Sequence, residues 1–333
     1  ALDAAEAAIT HYGQWYGPYP YPRLTVVDVP DDGQGAGGME YPMFITAGTM
    51  SFTGLPVGDS QADKSLEIVV THEAGHQWWQ STVAFNEAEE PWLDEGFTEY
   101  SSVRLMGQLF GESASALDTP LFDLGLLDER RAEYLLDPRV PMYGRAWDFS
   151  GLEYVTAAYS KPALSLLTLE GVLGSDLMLD VMSTFYRRYQ FAHPTTGDFR
   201  AVAEEVADRD LSWFFDGLVY GDAVVNYTIA SLDEHSVTAV REGELRIPTD
   251  VLVTFANGPS AVELWDAAQP DVTFTYPNRT VVSAEVDPDR QVIVGLQWSD
   301  NGLARQPYVS PLLALISRLA YYLQEILLVF GGL

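Results

Sequence analysis

Two histidines one helical turn apart, His72 and His76 in the run HEAGH, constrain this chain more than any other feature. On a helix, positions i and i+4 lie on one face, so both imidazoles reach a single ion. Glu73 lies one residue on, about 100° around the helix, near the open side of such an ion. The pattern predicts a helix over 64–81, with Gly75 tolerated because another element packs closely there. A catalytic zinc site takes three protein ligands and leaves a fourth position to water. Glu95 supplies the third ligand best. It stands in Trp92-Leu93-Asp94-Glu95-Gly96-Phe97, near the start of a second helix that Pro91 opens. Eighteen residues lie between His76 and Glu95, enough to finish one helix, turn and return. The expectation is one Zn2+ per chain held by His72, His76 and Glu95, with Glu73 as general base. A bare HExxH pattern arises by chance in many proteins. Here it sits on a plausible helix with a second helix and a glutamate at a workable distance, and it takes two of only five histidines. Asp94 and Glu99 are candidate partners for the outer nitrogens of the imidazoles, Glu99 equally a surface residue; Glu87, Glu89 and Glu90 read as solvated.

The rest of the chain divides in character. Residues 1–16 read as a helix stopped by Gly17-Pro18, Arg23 to Val29 as a strand, and 31–38 as a glycine-rich loop. Helical patterns then dominate to about Gly221, with candidates at 92–110, 150–173, 177–191 and 197–219. From Val224 to about Gln297 short alternating runs rich in Val, Thr, Tyr and Phe are separated by turn residues, the pattern of a β-sandwich. The expected class is therefore α+β: a helical catalytic domain over 1–221, a β-sandwich over 222–300 and a tail over 301–333.

At 333 residues the chain is long enough for two cores. It has no cysteine, which excludes disulfides, thiolate metal sites and cysteine nucleophiles. A net charge of -30 repels phosphate backbones, so nucleic acid is not expected as a partner. The excess reads as a solubility device that can also attract cationic peptide ends. The chain opens directly on a helical pattern without a basic stretch and apolar run, as a mature product or a fragment with its front removed would. Residues 311–330 are apolar for nearly a membrane span, but Arg318, Gln324 and Glu325 fall on one side with Ser317 and Tyr321. That is an amphipathic helix, which can pack on the body or lie in a membrane interface; spanning a bilayer fits it least. Localisation is left open between a cell-surface or membrane-associated place in a prokaryote and the cytoplasm, and oligomeric state is not encoded.

HEAGHQWW followed by EPWLDEGFTEY resembles the M1 family of zinc aminopeptidases, a gluzincin group whose catalytic domain is thermolysin-like. Upstream, Gly37-Gly38-Met39-Glu40-Tyr41 is similar to that family's GxMEN segment; downstream, Tyr159-Ser160-Lys161 is similar to its YxKG segment. The resemblance covers residues 1–220 and, in pattern only, the β-rich part. It implies peptide substrates, Glu40 as anchor for the substrate ammonium, Gly38 and Met39 as backbone beside an extended peptide, and the Tyr159 hydroxyl as donor to the oxyanion. Tyr154 is the rival tyrosine, expected to point elsewhere on an α-helix. Tyr41 stands where the family commonly has asparagine and Pro162 where it has glycine, and the family's N-terminal β-domain is missing. Besides an aminopeptidase, the sequence admits a zinc endopeptidase, if Glu40 does not reach the cleft, and a non-catalytic scaffold docking through its tail.

Overall fold

A computed structural model describes residues 1–29, 33, 36–48, 62–119 and 123–305. They form two compact units. The first takes Ala1–Asn226 together with Gly243–Ile247 and Arg290–Leu296; the second takes Tyr227–Glu242, Pro248–Asp289 and the described residues from Gln297. The architecture is mixed α and β, and among the described residues the α-helices lie in the first unit.

In the first unit, α1 (Leu2–Trp15) buries Ala4, Ala5, Ala8 and Tyr12 at one-turn spacing. Strands β1 (Thr25–Asp28), β2 (Gly38–Met39) and β3 (Phe44–Ala47) make a small sheet in the order β1-β3-β2, parallel between β1 and β3 and antiparallel between β3 and β2. Helix α2 (Ser65–Gly75) follows and packs on this sheet and on α1. It ends six residues before the expected end at 81. Glycine is a poor helix former, and beyond it Trp78 and Trp79 send their indole N–H groups to separate partners, Gly17 O at 2.8 Å and Ser101 Oγ at 3.1 Å. Helix α3 (Pro91–Phe110) opens on its proline, which loses no hydrogen bond in the first turn. A short hairpin of β4 (Leu117–Asp118) and β5 (Asp123–Leu124) leads into α4 (Leu126–Tyr134).

Helix α5 (Gly151–Tyr154) starts at a reciprocal cap between Ser150 and Glu153. It runs through a π-helical segment, Val155–Ser160, into α6 (Lys161–Leu173). Helices α7 (Ser175–Tyr189) and α8 (Thr196–Ala207) follow. The helix expected over 197–219 breaks at Asp208, whose φ of 49° is left-handed. The Asp210 carboxylate then accepts the Ser212 N–H at 2.9 Å and starts the short α9 (Ser212–Phe214), followed by a second π segment, Phe215–Val219. Phe97 anchors the core beneath α3, meeting Trp79, Trp92, Phe185 and Phe199 edge-on, the last at 4.7 Å between ring centres.

In the second unit, β6 (Val225–Leu232), β7 (Ser236–Gly243), β8 (Thr249–Phe255), β9 (Ala261–Trp265), β10 (Asp271–Thr275), β11 (Val281–Val286) and β12 (Gly302–Ala304) form two sheets, ordered β10-β7-β6 and β12-β11-β8-β9. Strand β8 shows why the residues alternate: Val251, Val253 and Phe255 are buried while the residues between them are half-exposed. The tail expected to be an amphipathic helix lies outside the described residues. Among those described, no helix is long and apolar enough to cross a membrane.

Candidate metal centre

Helices α2 and α3 cross where Gly75 meets Thr98. A Cβ built on Gly75 would stand 2.9 Å from the Thr98 methyl, so only glycine lets the helices close to this distance. That approach brings the predicted ligands together. His72 Nε2 lies 3.1 Å from Glu95 Oε2, His76 Nε2 lies 3.3 Å from the same oxygen, and the two Nε2 atoms are 3.2 Å apart. Among the described residues, these three form the one group of histidine and carboxylate side chains able to hold a metal ion.

The outer nitrogens are held as well. His72 Nδ1–H donates to Glu99 Oε2 at 2.8 Å and His76 Nδ1–H to Asp94 Oδ1 at 2.7 Å. Each bond fixes the tautomer that leaves Nε2 free to coordinate. Both carboxylates are almost fully buried, so Glu99 is no surface residue. Burial opposes charge on His72, but the carboxylates of Glu95 and Glu99 outweigh it and lift the imidazole to about 9. A divalent cation suits such a set: it takes over the charge that a proton on His72 would otherwise supply to Glu95. Asp94→Asn is expected to weaken metal affinity about 10–100-fold, because the amide can present its N–H to His76 in place of an acceptor; competition with a chelator measures it, and unchanged affinity would show that Asp94 does not orient the ring.

Glu73 stands on α2 beside this cluster. Its Oε2 is buried and has no hydrogen-bond partner among the described residues, a costly state for a carboxylate that nothing structural requires. Burial pushes its pKa up, against the pull of His72 and His76 and with help from Glu40, whose charge reaches it. Strand β2 runs alongside: a Cβ on Gly38 would stand 2.8 Å from Glu73 Oε1. Met39 is paired with Thr46 in the sheet, and half-buried Glu40 follows it. The next turn is tied to α2 through buried Gln77, which accepts the Met43 N–H at 2.8 Å and donates to Tyr41 O at 3.2 Å.

Tyr159 completes the cluster. Its hydroxyl donates to Glu95 Oε1 at 2.5 Å and its ring stacks on His72, 5.8 Å between centres. Tyr154 does not point elsewhere. Five residues on an α-helix turn about 140°, but the π segment bonds five residues back, Lys161 N–H to Thr156 O, which widens the turn and brings positions five apart toward the same side. The two tyrosine rings therefore meet at 6.1 Å, and burial with the Glu95 charge pushes the Tyr154 phenol up to about 12. Pro162 is the second residue of α6 and packs on Gly96 of α3, where a Cβ would stand 2.4 Å from its ring.

Sequence reading passed over Gln77, Arg130, Glu133 and Ser160. No spacing rule joins them to the histidines, since Arg130 reaches Glu99 from 31 positions away.

A hairpin of helices that gathers two histidines of one turn and a glutamate of the next, with a buried free carboxylate beside them, defines a metallopeptidase-type centre. Residues 1–218 match the model of the peptidase family M1 domain, and the chain belongs to that family. It is 26% identical over 212 residues to aminopeptidase M1-B of Oryza sativa subsp. japonica, covering 62% of this chain and 23% of the relative. It is 23% identical over 217 residues to probable aminopeptidase 1 of Sulfurisphaera tokodaii, covering 64% and 27%, and 23% identical over 223 residues to glutamyl aminopeptidase of Bos taurus, covering 65% and 22%. The matched region thus spans about a quarter of each relative's length. The fold resembles the crystal structure of Legionella pneumophila aminopeptidase A in complex with aspartic acid, with a TM-score of 0.65 and 16% identity over 89% of this chain and 34% of that one.

Proposed function

We propose that this chain carries the catalytic machinery of a zinc-dependent aminopeptidase, which releases N-terminal residues from peptides. The observation that carries the reading is the convergence of His72 Nε2, His76 Nε2 and Glu95 Oε2 within 3.3 Å beside the unpartnered Glu73 Oε2. Residues 1–221 are read as the catalytic domain and 222–300 as a β-sandwich on the strength of its two sheets; β12 extends one sheet to Ala304, so the tail read over 301–333 is taken to begin after that strand.

The ligand chemistry, two imidazoles and a carboxylate, favours zinc. When bound, zinc supplies a Lewis acid and lowers the pKa of water from about 15.7 toward 7. The protein's own part follows from its geometry. Glu73, raised by burial, takes the proton of the attacking water at Oε2 and returns it to the leaving amine. Burial and Glu95 hold the Tyr159 phenol protonated, so its O–H is a donor for the carbonyl oxygen as that atom gains charge. Glu40, one residue past the strand that lies against Glu73, offers a charge-assisted bond to the substrate's α-ammonium and sets cleavage one residue from the end. Gly38 and Met39 give the extended peptide a backbone to lie along.

Hydrolysis of free and N-acetylated versions of one peptide, alongside metal analysis, tests this. The aminopeptidase reading expects one zinc per chain, turnover of the free peptide, and loss of turnover on acetylation. Cleavage of the acetylated peptide would point to an endopeptidase. No turnover of either, with zinc present, would leave a scaffold whose metal site only stabilises the fold.

A further inference from the structure

Helix α4 sits behind the metal helices and carries no predicted site residue, yet it holds a cation wired to two of them. Arg130 donates from Nε to Glu99 Oε1 at 2.5 Å, while the other oxygen of Glu99 accepts from His72 Nδ1 at 2.8 Å. From Nη1 the same guanidinium donates to both oxygens of Glu133, at 2.9 and 3.0 Å, with Glu129 at 3.4 Å. Glu133 Oε2 in turn accepts the hydroxyl of buried Ser160. Ser160 directly follows Tyr159 and closes the π segment that aims that tyrosine at Glu95. A continuous chain of hydrogen bonds therefore joins a metal ligand to the tyrosine's segment, with one guanidinium at its centre.

We infer that Arg130 is a positioning residue that holds His72 and the Tyr159 segment in register with each other. This rests on the zinc peptidase reading above. The chemistry requires arginine. Its planar fork directs separate N–H groups to two carboxylates on different helices, which the compact ammonium of lysine does less well. Glu99 is 1% exposed, and its two oxygens are divided between two partners, Oε1 accepting from Arg130 and Oε2 from His72. Without Arg130, the carboxylate that fixes the His72 tautomer loses the bond that anchors its other oxygen. The Glu133 that grips Ser160 is released at the same time. Each arm makes its own prediction, since one acts on the ligand and the other on the tyrosine.

Three variants of the full chain separate the arms: Arg130→Met, Arg130→Lys and Ser160→Ala. Metal affinity is read by competition between chelator and Zn2+, ligand geometry by the visible absorption of the Co2+-loaded chain, and turnover on a free peptide as kcat and KM. Arg130→Met is expected to lose about 10–100-fold in metal affinity, to shift the Co2+ bands, and to lose kcat even when saturated with metal, with KM little changed. Arg130→Lys, which can face Glu99 but not both carboxylates, is expected to recover affinity and leave kcat low. Ser160→Ala is expected to keep metal affinity and the Co2+ bands within error while kcat falls between about tenfold and a hundredfold, the cost of a misaimed group. A folded Arg130→Met with parental affinity and spectrum would overturn the inference, as would a Ser160→Ala with parental kcat. Should Arg130→Met fail to fold, the other two variants decide alone. A parent chain that takes up neither Zn2+ nor Co2+ removes the reading of the site and this tie together, whereas a loaded parent with unaffected variants removes the tie only.

Discussion

Glu73→Gln is expected to leave metal content at the parental level and to lower kcat by about three to four orders of magnitude. The substitution spares the three candidate ligands, a group to which Glu73 does not belong; what it removes is the oxygen at Oε2, which is buried and has no hydrogen-bond partner among the described residues. Glutamine keeps the shape of the side chain but cannot accept and then return a proton. General acid–base catalysis by one positioned group is worth about 10²–10⁴-fold, and in the proposed reaction a single residue serves both the attack and the departure of the amine. The loss is placed at the upper end for that reason. In free energy it corresponds to about 4–5 kcal/mol of transition-state stabilisation, at about 1.36 kcal/mol per decade. Peptide turnover and metal stoichiometry measured on one preparation check it. Near-parental turnover in a zinc-loaded variant would take the role of base away from Glu73.

Glu95→Gln is expected to have the second large effect, on the metal itself. The carboxylate lies between both imidazoles and also accepts the Tyr159 hydroxyl, so it serves the ion and the tyrosine together. Burial opposes its charge, but the hydrogen bonds from His72 and His76 hold its pKa well below the usual carboxylate range. A neutral amide is a poor ligand for a divalent cation, so affinity should fall by more than the roughly 10–100-fold that outer partners cost. Thermal or urea unfolding reports it. At a free zinc concentration 100 times the parental dissociation constant, the parent should gain about 2.7 kcal/mol and a variant bound 100-fold more weakly about 0.4 kcal/mol. A variant stabilised by zinc as strongly as the parent would show that Glu95 is not a ligand.

The predicted ligands were legible because each rests on local periodicity. His72 and His76 share a helix face by spacing alone, and Asp94, Glu95 and Glu99 fall where one and four positions on a second helix place them. The close approach at Gly75 was legible too, since a glycine inside a helical run needs a reason. Helix ends were read less well. The end of α2 at Gly75 and the break at Asp208 depend on how Trp78, Trp79 and Asp210 find partners elsewhere in the fold or across a turn, which periodicity does not report.

Tyr154 shows the limit most sharply. An α-helical period puts it on the far side from Tyr159, and no residue in VTAAYS announces a π segment. The extra residue in that turn is stabilised by its surroundings: Ser160 held by Glu133, Lys161 buried with its ammonium on Val140 O at 2.7 Å, and Pro162 packed on Gly96. By itself, then, the sequence singled out the candidates for metal ligands and base, because those choices follow from side-chain chemistry, spacing and the 3.6-residue period. Only the tertiary structure decided how Arg130 is shared between Glu99 and Glu133 and how both tyrosines come to face the site, because those arrangements are made by contacts between helices far apart in the chain.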